Sequence, residues 1–123
     1  LPGVEATLAK LREKEIKIAI GSSSRNTPRI LEYIGMSDIF DAVADGNDIR
    51  KSKPDPEVFL LAAKKLGIAP EECLVVEDAY AGVEAAKAAG MKSLAVGSAI
   101  DSPDADYRAK DLSGINILDL LKE

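Results

Sequence analysis

One stretch, residues 73–90 (CLVVEDAYAGVEAAKAAG), constrains the fold more than any other part of the chain. Residues 74–76 form a short apolar run rich in β-branched side chains, which is typical of a strand buried on both faces. A helical pattern follows over residues 80–89, and Gly90 stands where a helix favours a left-handed C-terminal cap. Because a buried strand leads directly into a helix here, the stretch predicts an α/β fold with parallel strands.

Two carboxylates, Glu77 and Asp78, follow this strand at the point where it should leave the core. Open α/β sheets bind their ligands at the carboxyl ends of the strands. The chain contains no histidine, so carboxylate oxygens here suit a hard cation such as Mg²⁺ better than zinc. The alternative is that Asp78 caps the following helix and Glu77 is solvated. This stretch by itself leaves both interpretations open.

The composition excludes several classes of function. The 123 residues are enough for one domain, and 46% hydrophobic with 30% charged residues is typical of a globular protein. A net charge of −5 argues against nucleic acid or an anionic membrane as the main partner, and no apolar run approaches the roughly 20 residues of a membrane span. Without histidine there is no Ser-His-Asp triad. The single Cys73 excludes an internal disulfide and favours a cytoplasmic location.

Apolar strands and amphipathic helices alternate along the chain. Strands are predicted over residues 16–21, 42–44, 74–76, 93–96 and 107–109, and helices over 4–14, 27–35, 56–66, 80–89 and 115–121. This alternation predicts a three-layer α/β sandwich, in which helices cover both faces of a mainly parallel sheet of four or five strands.

Three loops at the predicted carboxyl edge carry polar side chains. Residues 22–26 offer hydroxyls, an amide, Arg25 and backbone N–H groups before a helix, which is an arrangement suited to anions. Lys53 offers a positive charge in the second loop, and the carboxylate pair stands in the third. A phosphoryl group held by hydroxyl, ammonium and Mg²⁺ would be a common ligand. The alternative is that the serines cap a helix and that Lys53 is solvated.

Three segments resemble the motifs of a known family. Residues 18–26 (IAIGSSSRN), 51–63 (KSKPDPEVFLLAA) and 73–90 are similar to motifs two, three and four of the haloacid dehalogenase superfamily, with the nearest likeness to its beta-phosphoglucomutases. The resemblance extends from residue 1 to about residue 97. It implies a Rossmann-like core and Mg²⁺-dependent phosphoryl transfer that converts β-glucose 1-phosphate to glucose 6-phosphate. The alternatives are a phosphatase of a small phosphorylated metabolite, or a binding or structural fragment without turnover.

The resemblance also implies roles for individual residues. Ser22 would hydrogen-bond the phosphoryl group in transfer, and Lys53 would neutralise its charge. Glu77 and Asp78 would hold Mg²⁺, directly or through water. The phosphate-binding set would comprise Ser22, Ser23, Ser24, Arg25, Asn26 and Lys53, in which Ser24 and Asn26 contact the second phosphate of a sugar bisphosphate.

One part of the family pattern is not found in these residues. The family's first motif is an Asp-x-Asp pair that ends an early strand and supplies the nucleophile and the general acid–base. We therefore expect residues 1–123 to form a partial core domain, without the nucleophile strand and the cap domain, and to be inactive alone. In the family that strand lies between the strand that ends at Gly21 and the strand that ends at Glu77. We expect a gap there, filled by an associated N-terminal segment or by strand exchange, rather than closed by the two strands.

Overall fold

The computed structural model describes residues 2–22, 24–26 and 38–121. The strands in these ranges are β1 (Ala19–Gly21), β2 (Ala42–Ala44), β3 (Leu74–Glu77), β4 (Lys92–Val96) and β5 (Tyr107–Ala109). The α-helices are α1 (Val4–Glu13), α2 (Glu57–Leu66), α3 (Tyr80–Ala88) and α4 (Ile117–Leu121). Short 3-10 turns occur at Pro70–Glu72 and Gly97–Ala99. The helix predicted over residues 27–35 lies outside the described residues, and the other predicted elements are present.

Local sequence signals set the boundaries of α2 and α3. The Asp55 carboxylate accepts the backbone N–H of Glu57, the first residue of α2, at 3.0 Å, and so satisfies one N–H group that has no partner within the helix. Gly67 ends α2 with φ 72° and Gly90 follows α3 with φ 76°, both in the left-handed region that glycine adopts without steric cost. The helices therefore end where the sequence predicts.

Helices cover both faces of the strands. Successive residues of a strand point to opposite faces, and in β3 Val75 and Leu74 show which helices lie on each side. Val75 belongs to a core cluster with buried residues of α2 and α3. Leu74 packs instead against a second cluster, formed by Leu11 of α1, Ile18 and Ile117 of α4. The three-layer α/β sandwich is therefore confirmed. Among the residues described, none of the helices has the length and apolar character needed to cross a membrane.

The five strands form two separate parallel sheets. β1 pairs with β2, while β3, β4 and β5 pair in that order. Within the described ranges β1 and β3 do not pair with each other, and a groove of about 700 Å³ separates them. Ile18, Ile20 and Val75 are among the residues that line this groove. β1 and β3 are therefore not closed against each other, as expected, and the predicted single sheet is divided at this groove. That another segment fills the groove stays a prediction.

Candidate functional site

The carboxyl ends of β1 and β3 carry the predicted site residues. Ser22 directly follows β1, Glu77 ends β3, and Lys53 lies in the loop before α2. The Lys53 Nζ atom is 2.9 Å from Glu77 Oε2, and the two side chains are only 17% and 11% exposed. The fold thus brings the second and third predicted loops into direct contact. The alternatives in which Lys53 or Glu77 is solvated are wrong.

Glu77 also organises the start of α3. Its Oε1 atom accepts the backbone N–H groups of Asp78 and Ala79, each at 3.1 Å. Ala79, the residue before α3, has no side chain that could cap the helix. A carboxylate is favoured near the positive N-terminal end of a helix, and Glu77 places one just before α3, although no side chain makes a capping hydrogen bond to the helix itself. Asp78 itself is exposed and lines the mouth of the groove.

Gly82 provides the space for the Glu77 side chain. A Cβ atom at this position, in the first turn of α3, would overlap the carboxyl group of Glu77. Sequence reasoning did not identify Gly82 as part of the site. The available signal was a glycine inside a helical pattern, where it is about 1 kcal/mol less favourable than alanine and usually has a packing reason.

Phe59 of α2 lies on the other side of Lys53. The Lys53 Nζ atom is 4.8 Å from the centre of the Phe59 ring, within the range of a cation–π interaction. The ring is only 6% exposed. It also lies against the end of β1, because a Cβ atom on Gly21 would be 2.8 Å from ring atom Cδ1. Sequence reasoning missed this contact, since an apolar residue on a helix predicts core packing in any context.

The serine-rich loop after β1 is held by short-range hydrogen bonds. Ser22 Oγ accepts the N–H of Ser24, and Ser24 Oγ accepts the N–H of Asn26, both at 3.1 Å. Ser24, Arg25 and Asn26 are exposed, and Ser23 lies outside the described residues. This part of the loop therefore stands at the surface beside the end of β1, as an anion-binding loop requires.

The loop after β2 braces the serine-rich loop. The Gly46 N–H donates to the carbonyl of Ser24 at 2.9 Å, and Asn47 Nδ2 donates to the carbonyl of Arg25 at 2.8 Å. Asp45, which is 4% exposed, accepts the N–H of Asn47 at 2.8 Å and so fixes the turn. Sequence reasoning did not identify this bracing role.

Two titratable groups near these loops have shifted pKa values. A hydrogen bond from the Asp45 N–H, and then one from Lys65, lower the pKa of the Asp48 carboxyl. Burial raises the pKa of the Cys73 thiol, and the acidic side chains of the preceding turn add to this effect. Both shifts follow from local contacts outside the Lys53–Glu77 pair.

The donor set at the end of β3 fits part of a magnesium site. Mg²⁺ typically binds one or two carboxylates and completes its shell with water and substrate phosphate oxygens. Glu77 and Asp78 are adjacent carboxylates at the mouth of the groove. The ranges that the structure describes contain no group of three or more His, Cys, Asp or Glu side chains that could hold a metal. These two residues could therefore hold Mg²⁺ only together with water, substrate or further ligands.

Comparison with protein families agrees with the geometry. A model of the haloacid dehalogenase-like hydrolases matches residues 1–90, which carry all the loops described above. The chain belongs to this family. Its membership confirms the resemblance inferred from the three motifs.

Individual relatives are mutases and phosphatases. The chain is 42% identical to Beta-phosphoglucomutase of Bacillus subtilis over 123 residues, which are 100% of this chain and 54% of that protein. It is 37% identical to Phosphorylated carbohydrates phosphatase of Thermotoga maritima over 95 residues, which are 76% of this chain and 44% of that protein. The crystal structure of beta-Phosphoglucomutase from Clostridium difficile matches with a TM-score of 0.91 and 34% identity, over 99% of this chain and 55% of that one. The chain thus spans about half the length of these relatives.

Proposed function

We propose that the enzyme to which these residues contribute is a beta-phosphoglucomutase. It converts β-glucose 1-phosphate to glucose 6-phosphate by Mg²⁺-dependent phosphoryl transfer, in carbohydrate metabolism and in the cytoplasm. The observation that carries phosphoryl transfer in this proposal is the 2.9 Å contact between Lys53 and Glu77, because it joins a candidate phosphate-binding cation and a candidate metal ligand in one site. The 42% identity to the Bacillus subtilis mutase over the whole chain favours the same activity.

The contacts of each side chain suit it to one part of the reaction. Lys53 has three N–H donors, of which Glu77 takes one, so two remain for phosphoryl oxygens. The Ser22 hydroxyl accepts from Ser24 N–H and keeps its own O–H to donate to the transferring group. Glu77 and Asp78 would hold Mg²⁺ together with water or substrate oxygens, and the ion would neutralise charge on the phosphoryl oxygens. Positioning and charge neutralisation of this kind supply most of the catalysis in phosphoryl transfer.

The second candidate is a phosphatase of a small phosphorylated sugar. The relative from Thermotoga maritima supports it, and the Lys53–Glu77 contact suits either reaction. The exposed loop that ends at Asn26 favours the mutase, because a mutase has to bind a second phosphate while the first is transferred. A site with two phosphate positions therefore distinguishes the two functions.

The experiment is an assay of the complete enzyme with β-glucose 1-phosphate and a panel of sugar phosphates, with and without Mg²⁺. If the enzyme is a mutase, its product is glucose 6-phosphate. Asn26→Ala should then reduce the formation of glucose 6-phosphate more than it reduces the hydrolysis of a one-phosphate substrate. Asp78→Ala should abolish the Mg²⁺-dependent activity. Equal losses from Asn26→Ala in both reactions contradict a second phosphate position and favour the phosphatase. Near-normal turnover of Asp78→Ala at saturating Mg²⁺ removes Asp78 from the metal site.

We also propose that the groove between β1 and β3 binds an extended apolar segment that carries the Asp-x-Asp pair. The Ile18 carbonyl accepts from Asp41 N–H and the Ser22 N–H donates to the carbonyl of Ala44, so both face β2. Since peptide groups alternate along a strand, those of Ala19 and Gly21 face the groove. An added strand parallel to β1 and β3 could bond to this edge and place its carboxylates beside Glu77.

Reconstitution tests this second proposal. The 123-residue chain alone should show no phosphatase or mutase turnover, and co-purified N-terminal segments of the enzyme should restore it. Cys73 also lines the groove, so a bound strand should slow its alkylation. Turnover by the purified chain alone contradicts the proposal. Unchanged alkylation of Cys73 in an active mixture excludes this groove as the binding site.

A further inference from the structure

Lys53 is held between two groups of different kinds. On one side Glu77 Oε2 takes an N–H donor of the ammonium at 2.9 Å. On the other side the face of the Phe59 ring lies 4.8 Å from the same nitrogen. The Lys53 side chain is only 17% exposed, although a lysine on a loop usually extends its charged end into water. The two contacts together fix the position of the ammonium.

The aromatic face differs from a second carboxylate in its effect on the charge. A ring attracts a cation through its quadrupole but has no net charge. A second carboxylate would neutralise Lys53 and take a further N–H donor. Phe59 stabilises the ammonium in this half-buried place and leaves its charge and its remaining donors for an anionic ligand. This is the arrangement that a phosphate-binding lysine requires.

Phe59 also connects Lys53 to the end of β1. The ring occupies the space into which a side chain at Gly21 would extend, directly before Ser22. It is 6% exposed and belongs to the core cluster that includes Val75 of β3. The ring is therefore fixed by the core, and it contacts both the backbone that presents Ser22 and the ammonium of Lys53.

We propose that Phe59 is a positioning residue, whose ring sets the place of the Lys53 ammonium relative to Ser22 and Glu77. Its effect on turnover rests on the proposed function, whereas the contact itself does not. Because Phe59 acts through Lys53, which contacts the transferring group, its loss should lower kcat and leave KM nearly unchanged.

The first test is spectroscopic and needs no activity. The ε-methylene protons of Lys53 should resonate upfield, because they lie near the face of an aromatic ring. Lys53→Arg identifies the signal in spectra of the protein labelled at lysine. Phe59→Leu should return the signal to the range of the other lysines, while Phe40→Leu, the same change in the chain's other phenylalanine, should not. A Lys53 signal without an upfield shift in the wild-type protein overturns the proposal.

The second test uses turnover of the complete enzyme. A series of phenylalanines with one to three ring fluorines at position 59 retains the ring but weakens its attraction for a cation. We expect kcat to fall progressively, by about tenfold over the series. The same series at Phe40, which packs in the cluster on the opposite face of β3, should leave the Lys53 ε-methylene signal at its wild-type position. A flat series at position 59 in an active enzyme refutes the positioning role. An inactive enzyme with the upfield Lys53 signal contradicts the proposed function but supports the contact.

Discussion

The substitution Gly82→Ala should destabilise the protein, although glycine-to-alanine changes inside helices normally stabilise. Gly82 lies in the first turn of α3, where alanine is favoured over glycine by about 0.8–1 kcal/mol. A Cβ atom at this position would overlap the carboxyl group of Glu77. Glu77 would have to move, and it would then lose its contact with Lys53 and its hydrogen bonds to Asp78 and Ala79.

The structure sets the size of the effect. Overpacking at a filled site costs about 1–3 kcal/mol, and displacement of a partly buried, hydrogen-bonded carboxylate falls at the upper end of that range. After the gain in helix propensity is subtracted, Gly82→Ala should lower the free energy of unfolding by about 1–2 kcal/mol. In a Glu77→Ala background the overlap is absent, so Gly82→Ala should raise the free energy of unfolding by about 1 kcal/mol. The coupling energy between the two positions is then about 2–3 kcal/mol.

Urea denaturation of the four proteins in this double-mutant cycle measures the coupling. Gly114→Ala is the control, because a Cβ atom there has no neighbour within 4 Å, and it should behave identically in both backgrounds. If Gly82→Ala stabilises the wild-type protein as much as it stabilises the Glu77→Ala protein, Glu77 does not occupy the space over α3 and the account of its position is wrong.

Three further predictions concern individual charges. Lys53→Ala should lower kcat/KM of the complete enzyme by about 10², as for loss of a charge contact in the transition state, and steady-state kinetics measures this. Hydrogen bonds from Asp45 and Lys65 lower the pKa of Asp48, so this carboxylate should stabilise the protein above its unfolded pKa of 3.8. The stabilisation should disappear as the pH falls through the lower pKa of the folded state. Denaturation of the wild type and of Asp48→Asn between about pH 7 and pH 2 tests this. Because the pKa of Cys73 is raised, its alkylation at about pH 8 should be slower than that of free cysteine, and an equal rate contradicts the shift.

The strands, the described helices and their order could be predicted from the sequence because each has a local signal. The β-branched runs of β1 and β3 and the glycines after α2 and α3 act within a few residues of where they stand. The division of the sheet was predicted for a different reason, namely the resemblance to a family in which another strand lies between β1 and β3. Periodicity alone does not predict it, because a strand beside a gap has the same alternation as a strand beside a neighbour.

The candidate site could be predicted only as far as its chemical types. Ser22, Lys53 and the carboxylate pair were recognised because polar residues follow apolar strands in a known order. Their contacts with Phe59 and Gly82 could not be predicted, because an apolar helix residue indicates core packing in any context and a glycine inside a helix does not show which side chain needs its space. The orientation of Glu77 was equally inaccessible, since only the folded chain shows that its carboxylate accepts the N–H groups of Asp78 and Ala79 before α3 while the Asp78 side chain is exposed.

The charges of Lys53, Glu77 and Asp78 explain why a divalent cation is part of the proposed function. Glu77 and Asp78 carry two negative charges and Lys53 one positive charge, so these three groups have a net charge of −1 at the end of β3. A phosphate dianion brought there would be repelled, the more so because the chain as a whole has a net charge of −5. Mg²⁺ reverses the sign of the local charge and leaves Lys53 free to contact phosphoryl oxygens. The placement of an acidic pair beside the Lys53 ammonium therefore favours phosphate binding together with a divalent cation over phosphate binding alone.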